Sequence, residues 1–382
     1  KVKQKGIDFG IWFEPEMISK ESDLYREHPD WVIRSPLYEP ILSRHQLVLD
    51  LSNPAVCEYL IDAVSKVLVP GNISYVKWDM NRHLTDLGSA YLDRKNQNEL
   101  SHRYVLGLYR VMETLTERFP QVLFESCSSG GGRFDAGMLY YMPQTWTSDN
   151  TDAVCRLKIQ HGTSFLFPTV TMGAHVSACP NHQTLRVTPL STRFNVAAFG
   201  ICGYECNLVD MSRAERSEIK TQIDIYKKWR HAMQFGCFYR QRTGNIHQWT
   251  VVDEEAGRAV GLIMQELVRA NTQNEEYYAA GLDPEAVYSF YNRPLKHNVK
   301  EFGDLINTVA PIHIRQGSLL HGMVAKFVNM PGETEKYELS GSMLMNCGVR
   351  LKQAFAATGF SEEVRHFPDF ASRLYFMEKI SD

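Results

Sequence analysis

The sequence predicts an α/β fold: a (β/α)8 barrel lacking its first strand, followed by a C-terminal antiparallel β domain. Three observations predict it. Short apolar runs alternate with helical periodicity from Ile7 to Gly236. Repeated βα units of this kind imply a parallel sheet with helical cover. Polar residues gather where the runs end, as at the working face of a barrel. After Gly236 the chain changes to strand-like runs divided by turn-rich stretches. Domain boundaries are expected at 1–238 for the barrel and 239–382 for the β domain.

"IDFGIW" (Ile7–Trp12) reads as the first strand and "HQLVLDLS" (His45–Ser52) as the second. Asn53 is an N-cap and Pro54 suits a first turn, so a helix follows with Val56, Leu60, Ala63, Val64 and Val67 at helical spacing. "NISYVKWD" (Asn72–Asp79) is a third strand. Leu100, Tyr104, Leu108, Met112 and Leu115 define a helix over Glu99–Arg118. "VLFES" (Val122–Ser126), "TWTS" (Thr145–Ser148), "VTMGAHVS" (Val170–Ser177) and "ICGYECNL" (Ile201–Leu208) complete seven strands. Ser212 and Glu215 form a capping box for a helix that Gly236 ends. In the second domain "IHQWTVV", "RAVGLIMQEL", "AVYSFYN", "MLMNCGVRL" and "SRLYFME" read as strands, with no helix of comparable strength between them.

Composition narrows the function. The 382 residues carry a formal net charge of -3. No Lys/Arg run marks a nucleic-acid or anionic-membrane surface. No apolar run reaches the roughly 18 residues of a membrane span. The eight cysteines show neither C-x-x-C nor zinc spacing and read as reduced core thiols of a cytoplasmic protein. His45, His175 and His231 lack an accompanying ligand motif. Neither metal nor cofactor is expected.

The strand ends hold Trp12, Glu14, Glu16, Asp50, Lys77, Asp79, Asn81, Glu125, Cys127, Ser148, Asp149, His175 and Glu205, with Arg44 just before a strand. Carboxylates with a few cations and aromatics suit sugar chemistry: two carboxylates divide acid, base and nucleophile roles, and aromatics stack on a ring. In "SYVKWDMNR", Tyr75, Lys77 and Asp79 share one strand face, and Val76 and Trp78 the other. A cation beside Asp79 would keep it ionised, as a nucleophile requires; the alternative is a buried salt bridge. In "CSSGGGRFD" the consecutive glycines permit close backbone approach, or simply a tight turn. In "TWTSDNTDA", Asp152 is an ordinary helix cap and Asp149 the better candidate for chemistry. The "KWD" and "TSD" strands are next-but-one neighbours, which places Asp79 and Asp149 across one mouth.

Taken together, "GIWFEPEM", "RHQLVLDLSNP", "YVKWDMNR", "CSSGGGRFD" (C-x-x-G-x-x-R at Cys127, Gly130 and Arg133) and "SDNTD" resemble the retaining α-galactosidases of glycoside hydrolase family 36. The resemblance implies Asp79 as nucleophile and Asp149 as acid/base. It implies a sugar-binding set of Trp12, Arg44, Lys77, Trp78, Asn81, Cys127 and Gly130. It also implies an oligosaccharide substrate such as melibiose, raffinose or stachyose, and a homo-oligomer at full length. Family members carry an N-terminal β-sandwich and a first barrel strand ending in an aspartate pair; neither is found in this sequence, so the chain is expected to be incomplete there. The rival readings are a Schiff-base aldolase using Lys77, a galactose-binding protein without turnover, and a related α-N-acetylgalactosaminidase or galactosyltransferase.

Overall fold

The computed structural model describes residues 1–269, 275–308, 310–355 and 364–381. In chain order, the first part comprises β1 (Phe9–Phe13), β2 (Met17–Ser19), α1 (Asp23–Glu27), β3 (Gln46–Val48), α2 (Pro54–Gly71), β4 (Ile73–Trp78), α3 (Leu100–Arg118), β5 (Leu123–Ser126), α4 (Ala136–Tyr141), β6 (Gln144–Trp146), α5 (Ala153–Thr163), β7 (Met172–Ser177), α6 (Leu190–Ala197), β8 (Ile201–Glu205) and α7 (Arg213–Phe235). Six of these strands form one sheet in the order β1-β4-β5-β6-β7-β8, and the pairs from β1 through β7 are parallel. This curled parallel sheet is the barrel part of the fold.

The sheet has six strands rather than the expected seven. The run His45–Ser52 is not part of it. Only Gln46–Val48 is extended there, and it pairs antiparallel with Met17–Ser19. Arg44 and His45 enter it with positive φ (53° and 61°). Asp50 then accepts the Ser52 backbone N–H at 3.0 Å and turns the chain toward α2. The apolar residues of the run, Leu47, Val48 and Leu49, are buried all the same, which is why it reads as a strand.

The structure divides into two compact units, Lys1–Asp149 with Thr171–Gly173, and Asn150–Val170 with Ala174–Asp382. In the first, α2 is capped by Asn53, whose side chain accepts from Ala55 N–H, and it buries Val56, Leu60, Ile61, Val64 and Leu68. The expected stripe is shifted at its end: Leu68 is buried, whereas Val67 is exposed. α3 buries all five predicted residues and Val111 besides. α3 comes closest to this region at Gly107, where a Cβ would lie 1.9 Å from the carbonyl oxygen of Leu51, in the turn before α2, and 3.2 Å from Cys57 Sγ on α2.

In the second unit, α5 is capped by Asp152, as expected, and α7 opens with the predicted capping box. Its core gathers Phe194, Phe199, Trp229, Trp249 and Phe376, with the Trp229 and Phe376 rings stacked at 4.8 Å. The strands that follow are β9 (Cys237–Thr243), β10 (Ile246–Asp253), β11 (Arg258–Gln265), β12 (Glu276–Tyr277), β13 (Val287–Asn292), β14 (Lys296–Asn298), β15 (Asn329–Pro331), β16 (Lys336–Ser340), β17 (Val349–Arg350) and β18 (Ser372–Ser381). The main antiparallel sheet runs β16-β13-β18-β11-β10-β9.

Two readings of this region need correction. "MLMNCGVRL" is one π-helical turn, Met343–Cys347, followed by the two-residue β17. Asn346 donates back to the Ser342 carbonyl at 3.0 Å, and Gly348 (φ 73°) reverses the chain. A helix also interrupts the strands: α8 (Leu319–Phe327), capped by Ser318, with a 3-10 segment at Val299–Thr308. Val299, Ile306, Ile314 and Ala325 form their own small apolar cluster. Among the described residues no helix is long and apolar enough to cross a membrane.

The capping box gives a direct stability test. Ser212 Oγ accepts from Glu215 N–H at 3.2 Å, and Glu215 Oε2 accepts from Ser212 N–H at 2.9 Å. Ser212→Ala orphans one helix N–H and is expected to cost about 1 kcal/mol. Urea unfolding should show a lower midpoint at unchanged slope.

Candidate active site

Strand register builds the site. Trp12 pairs with Lys77, Lys77 with Glu125, and Glu125 with Gln144, so one row crosses β1, β4, β5 and β6. The neighbouring row is Phe13, Trp78, Ser126 and Thr145. Side chains alternate along each strand, so the two rows face opposite sides of the sheet. The first row is polar and points with Asp79.

Asp79 is held just past β4, its N–H donating to the Phe13 carbonyl at 2.8 Å. It is 6% exposed. Its Oδ2 accepts from the Trp12 indole N–H at 3.1 Å, and its Oδ1 from the Met80 N–H at 2.9 Å. Asp149 is exposed, beyond β6, and its Oδ1 accepts from the Trp146 indole N–H at 3.1 Å. Each candidate carboxylate is thus oriented by a tryptophan.

Lys77 departs from expectation. Its ammonium lies 3.3 Å from Glu125 Oε1, in ion-pair contact though not aligned as a hydrogen bond, and 4.5 Å from the Trp146 ring centre. No ion pair joins it to Asp79 among the described residues. Glu125 also accepts from Tyr75 and Gln144. Burial pushes the Tyr75 hydroxyl pKa up, and Glu125 beside it adds to the shift.

Trp78 is the second correction. It is fully buried and its indole N–H donates to Glu16 at 2.8 Å. It belongs to the opposite row and contributes to the core. Glu16, fully buried, also accepts from Tyr104 and from Arg133 at 2.9 Å. Burial by itself would lower the Arg133 pKa, but Glu16 and Tyr104 beside it reverse that and raise it.

The other predicted residues do gather. Asn81 donates to Glu14 at 2.6 Å and accepts from the Ser129 hydroxyl at 3.2 Å. Arg44 lies 3.8 Å from the same Glu14. Trp12 is 49% exposed, leaving an indole face open beside Asp79. Cys127 N–H donates to the Trp78 carbonyl at 2.8 Å, which fixes the start of the glycine loop. Gly130 (φ 85°) lies so close to β6 that a Cβ would sit 2.7 Å from Ser148 Cα and 3.0 Å from Asp149 N. The glycines therefore serve close backbone approach, and what they approach is the strand end carrying Asp149. His175 and Glu205, 3.0 Å apart, lie in the second unit.

Sequence reasoning placed Glu14 and Glu125 at strand ends without a role, and passed over Trp146 and Ser129. Trp146 had one signal: an aromatic three residues before Asp149. Glu14 had another, since in "FEPEM" it stands two residues before Glu16.

A curled parallel sheet with two oriented carboxylates at the ends of alternate strands defines a barrel-type class with its site at the strand ends. A family model described as Melibiase matches residues 1–236, and one described as the glycosyl hydrolase family 36 C-terminal domain matches residues 246–377. The chain belongs to glycoside hydrolase family 36, the melibiase family. It is 51% identical over 291 residues to alpha-galactosidase AgaA of Geobacillus stearothermophilus, covering 75% of this chain and 40% of AgaA. It is 47% identical over 290 residues to alpha-galactosidase 1 of Pediococcus pentosaceus, covering 75% of this chain and 40% of that one. A crystal structure of an AgaA variant in complex with raffinose superposes with a TM-score of 0.82 at 40% identity, over 99% of this chain and 45% of that one. An alpha-galactosidase structure from Lactobacillus brevis gives 0.82 at 39% identity, over 100% and 45%. The chain spans about 40% of the length of these two curated relatives.

Two tests follow from the site. Glu16→Ala leaves Arg133 buried without its carboxylate and is expected to destabilise by about 3–5 kcal/mol in denaturant unfolding. Glu16→Leu combined with Arg133→Met should lose less than Glu16→Ala alone. Burial pushes the Cys127 thiol up to about 12, with Lys77 and the Gly130 N–H opposing the shift and Asp79 adding to it. At pH 8 such a thiol is roughly one part in ten thousand thiolate. Iodoacetamide at that pH should therefore label the exposed Cys179, Cys237 and Cys347 and leave Cys127 unlabelled until the chain is unfolded. Peptide mass mapping reads the result.

Proposed function

We propose that this chain carries the machinery for retaining hydrolysis of terminal α-D-galactosyl residues of oligosaccharides such as melibiose, raffinose and stachyose. The observation that carries this reading is the pair Asp79 and Asp149, oriented by Trp12 and Trp146 at the ends of next-but-one strands. The raffinose and stachyose complexes of AgaA variants support the substrate class.

In the first step an Asp79 oxygen bonds to the anomeric carbon as its bond to the leaving oxygen breaks. Asp149, protonated, gives its proton to that oxygen. In the second step Asp149 takes a proton from water, the water oxygen bonds to the anomeric carbon, and the Asp79 ester bond breaks. Configuration is retained, which requires carboxyls about 5–5.5 Å apart. Trp12 supplies a stacking face, and Lys77, Asn81, Arg44 and Cys127 supply polar contacts for the sugar, with Gly130 allowing close approach. Residues 1–238 form the catalytic part and 239–382 the β domain in this reading. The protein is a homo-oligomer at full length, and its eight free cysteines accord with a reducing cytoplasm.

The experiment is nitrophenol release from p-nitrophenyl α-galactoside by this chain and by a form extended to the length of the relatives. Asp79→Ala should abolish release. Asp149→Ala should lose turnover and recover part of it with azide, yielding α-galactosyl azide. A β-configured azide product, or an active Asp79→Ala protein, would overturn the assignment.

A further inference from the structure

A second cluster of chemistry-bearing side chains lies in the C-terminal β region. His297 sits on β14, Glu301 in the 3-10 segment that follows it, and His366 on the stretch leading to β18. One donor atom from each of the three residues lies within 4.8 Å of the others.

The carboxylate is preset. Glu301 Oε1 accepts the Asn298 backbone N–H at 2.8 Å, which aims its other oxygen. That oxygen, Oε2, lies 3.1 Å from His297 Nδ1 and 3.7 Å from His366 Nε2. Around a tetrahedral ion with bonds of about 2.0–2.1 Å, ligand atoms stand roughly 3.3–3.4 Å apart. The two separations straddle that value.

The surroundings fit as well. Phe302, 7% exposed, packs against both imidazoles, its ring centre 4.6 Å from that of His366 and 6.2 Å from that of His297. Arg373 donates to the His366 carbonyl at 2.7 Å, but its charge is already matched by Glu333, at 2.5 Å and 3.1 Å. The Glu301 side chain is 44% exposed, against 9% for His297 and 11% for His366. One side of the cluster therefore faces water.

We propose that His297, Glu301 and His366 bind a divalent transition-metal ion, zinc above all, with solvent in the fourth position. Two imidazole nitrogens and one carboxylate oxygen suit zinc, cobalt or nickel and disfavour the hard ions calcium and magnesium. The ion would clamp the β14 segment to the chain entering β18. This site is independent of the glycosidase reading and has its own readout. The competing account is a hydrogen-bonded triad with no affinity for metal.

The test uses the whole chain, freed of metal by dialysis against a chelator. Co2+ is titrated in and followed by its visible d–d absorption, then displaced with Zn2+. The expected result is saturation at one equivalent, without the sulfur-to-cobalt band that cysteine ligation produces. His366→Gln and Glu301→Gln, each checked for native circular dichroism, should raise the dissociation constant at least tenfold. Zn2+ should raise the melting temperature of the unaltered chain and leave that of the variants unmoved. Absence of saturable Co2+ uptake by the unaltered chain would overturn the proposal, as would uptake that is the same in both variants.

Discussion

A single buried carboxylate, Glu16, carries the wall behind the candidate active site. It collects the Trp78 indole, the Tyr104 hydroxyl and the Arg133 guanidinium. These come from β4, from α3 and from the glycine loop. An ion pair in this setting persists only if its lone pairs and protons find partners, because desolvation costs several kcal/mol per ion. Three donors meet that demand for Glu16. In meeting it they lock the exit of β1 to β4 and to the loop that starts at Cys127. Two residues earlier, Glu14 holds Asn81 and stands near Arg44. The "FEPE" spacing thus gives one short segment two carboxylates with separate sets of partners.

The same separation of duties governs charge. Lys77 and Asp79 share a face, yet the cation is matched by Glu125 rather than by Asp79. Asp79 is served instead by neutral donors: an indole and a backbone amide. Neutral donors orient a carboxylate and support its charge without engaging it in an ion pair that an attacking oxygen would have to break. The elevated pKa of Cys127 is part of this arrangement, since a thiolate beside Asp79 would repel it.

What was legible in the sequence was whatever local rules fix. Asn53, Asp152 and Ser212 announce their helices through short-range hydrogen bonds, and α3 does so through an unbroken apolar stripe. The order of strands in the sequence is enough to put Asp79 and Asp149 on next-but-one neighbours, and the sheet has them so. Long-range pairing was not legible. Leu47–Leu49 has the composition of a barrel strand, but the extended part, Gln46–Val48, pairs with Met17–Ser19, because Arg44 and His45 turn the chain first. Alternation turned Trp78 away from the site, while its motif drew it in; alternation was right. The partner of Lys77 depended on the register of β4 against β5, which no local signal encodes. α8 escaped because its apolar residues, Leu319, Leu320, Met323 and Phe327, are largely exposed and form no buried stripe.

The glycine loop joins these levels. Cys127 at its start is tied to the residues on either side of Asp79: its N–H donates to the Trp78 carbonyl at 2.8 Å and its carbonyl accepts from the Met80 N–H at 3.1 Å. Gly130 and Gly131 lie backbone to backbone against Thr147–Asp149. A side chain at Gly130 would meet Ser148 at 2.7 Å and would have to adopt a φ of 85°. The loop therefore ties the two strand ends together: the Cys127 backbone holds the segment carrying Asp79, and the glycines lie against the segment carrying Asp149. Glycine at these positions is then a constraint on how closely the loop can lie against the end of β6 as much as on the turn.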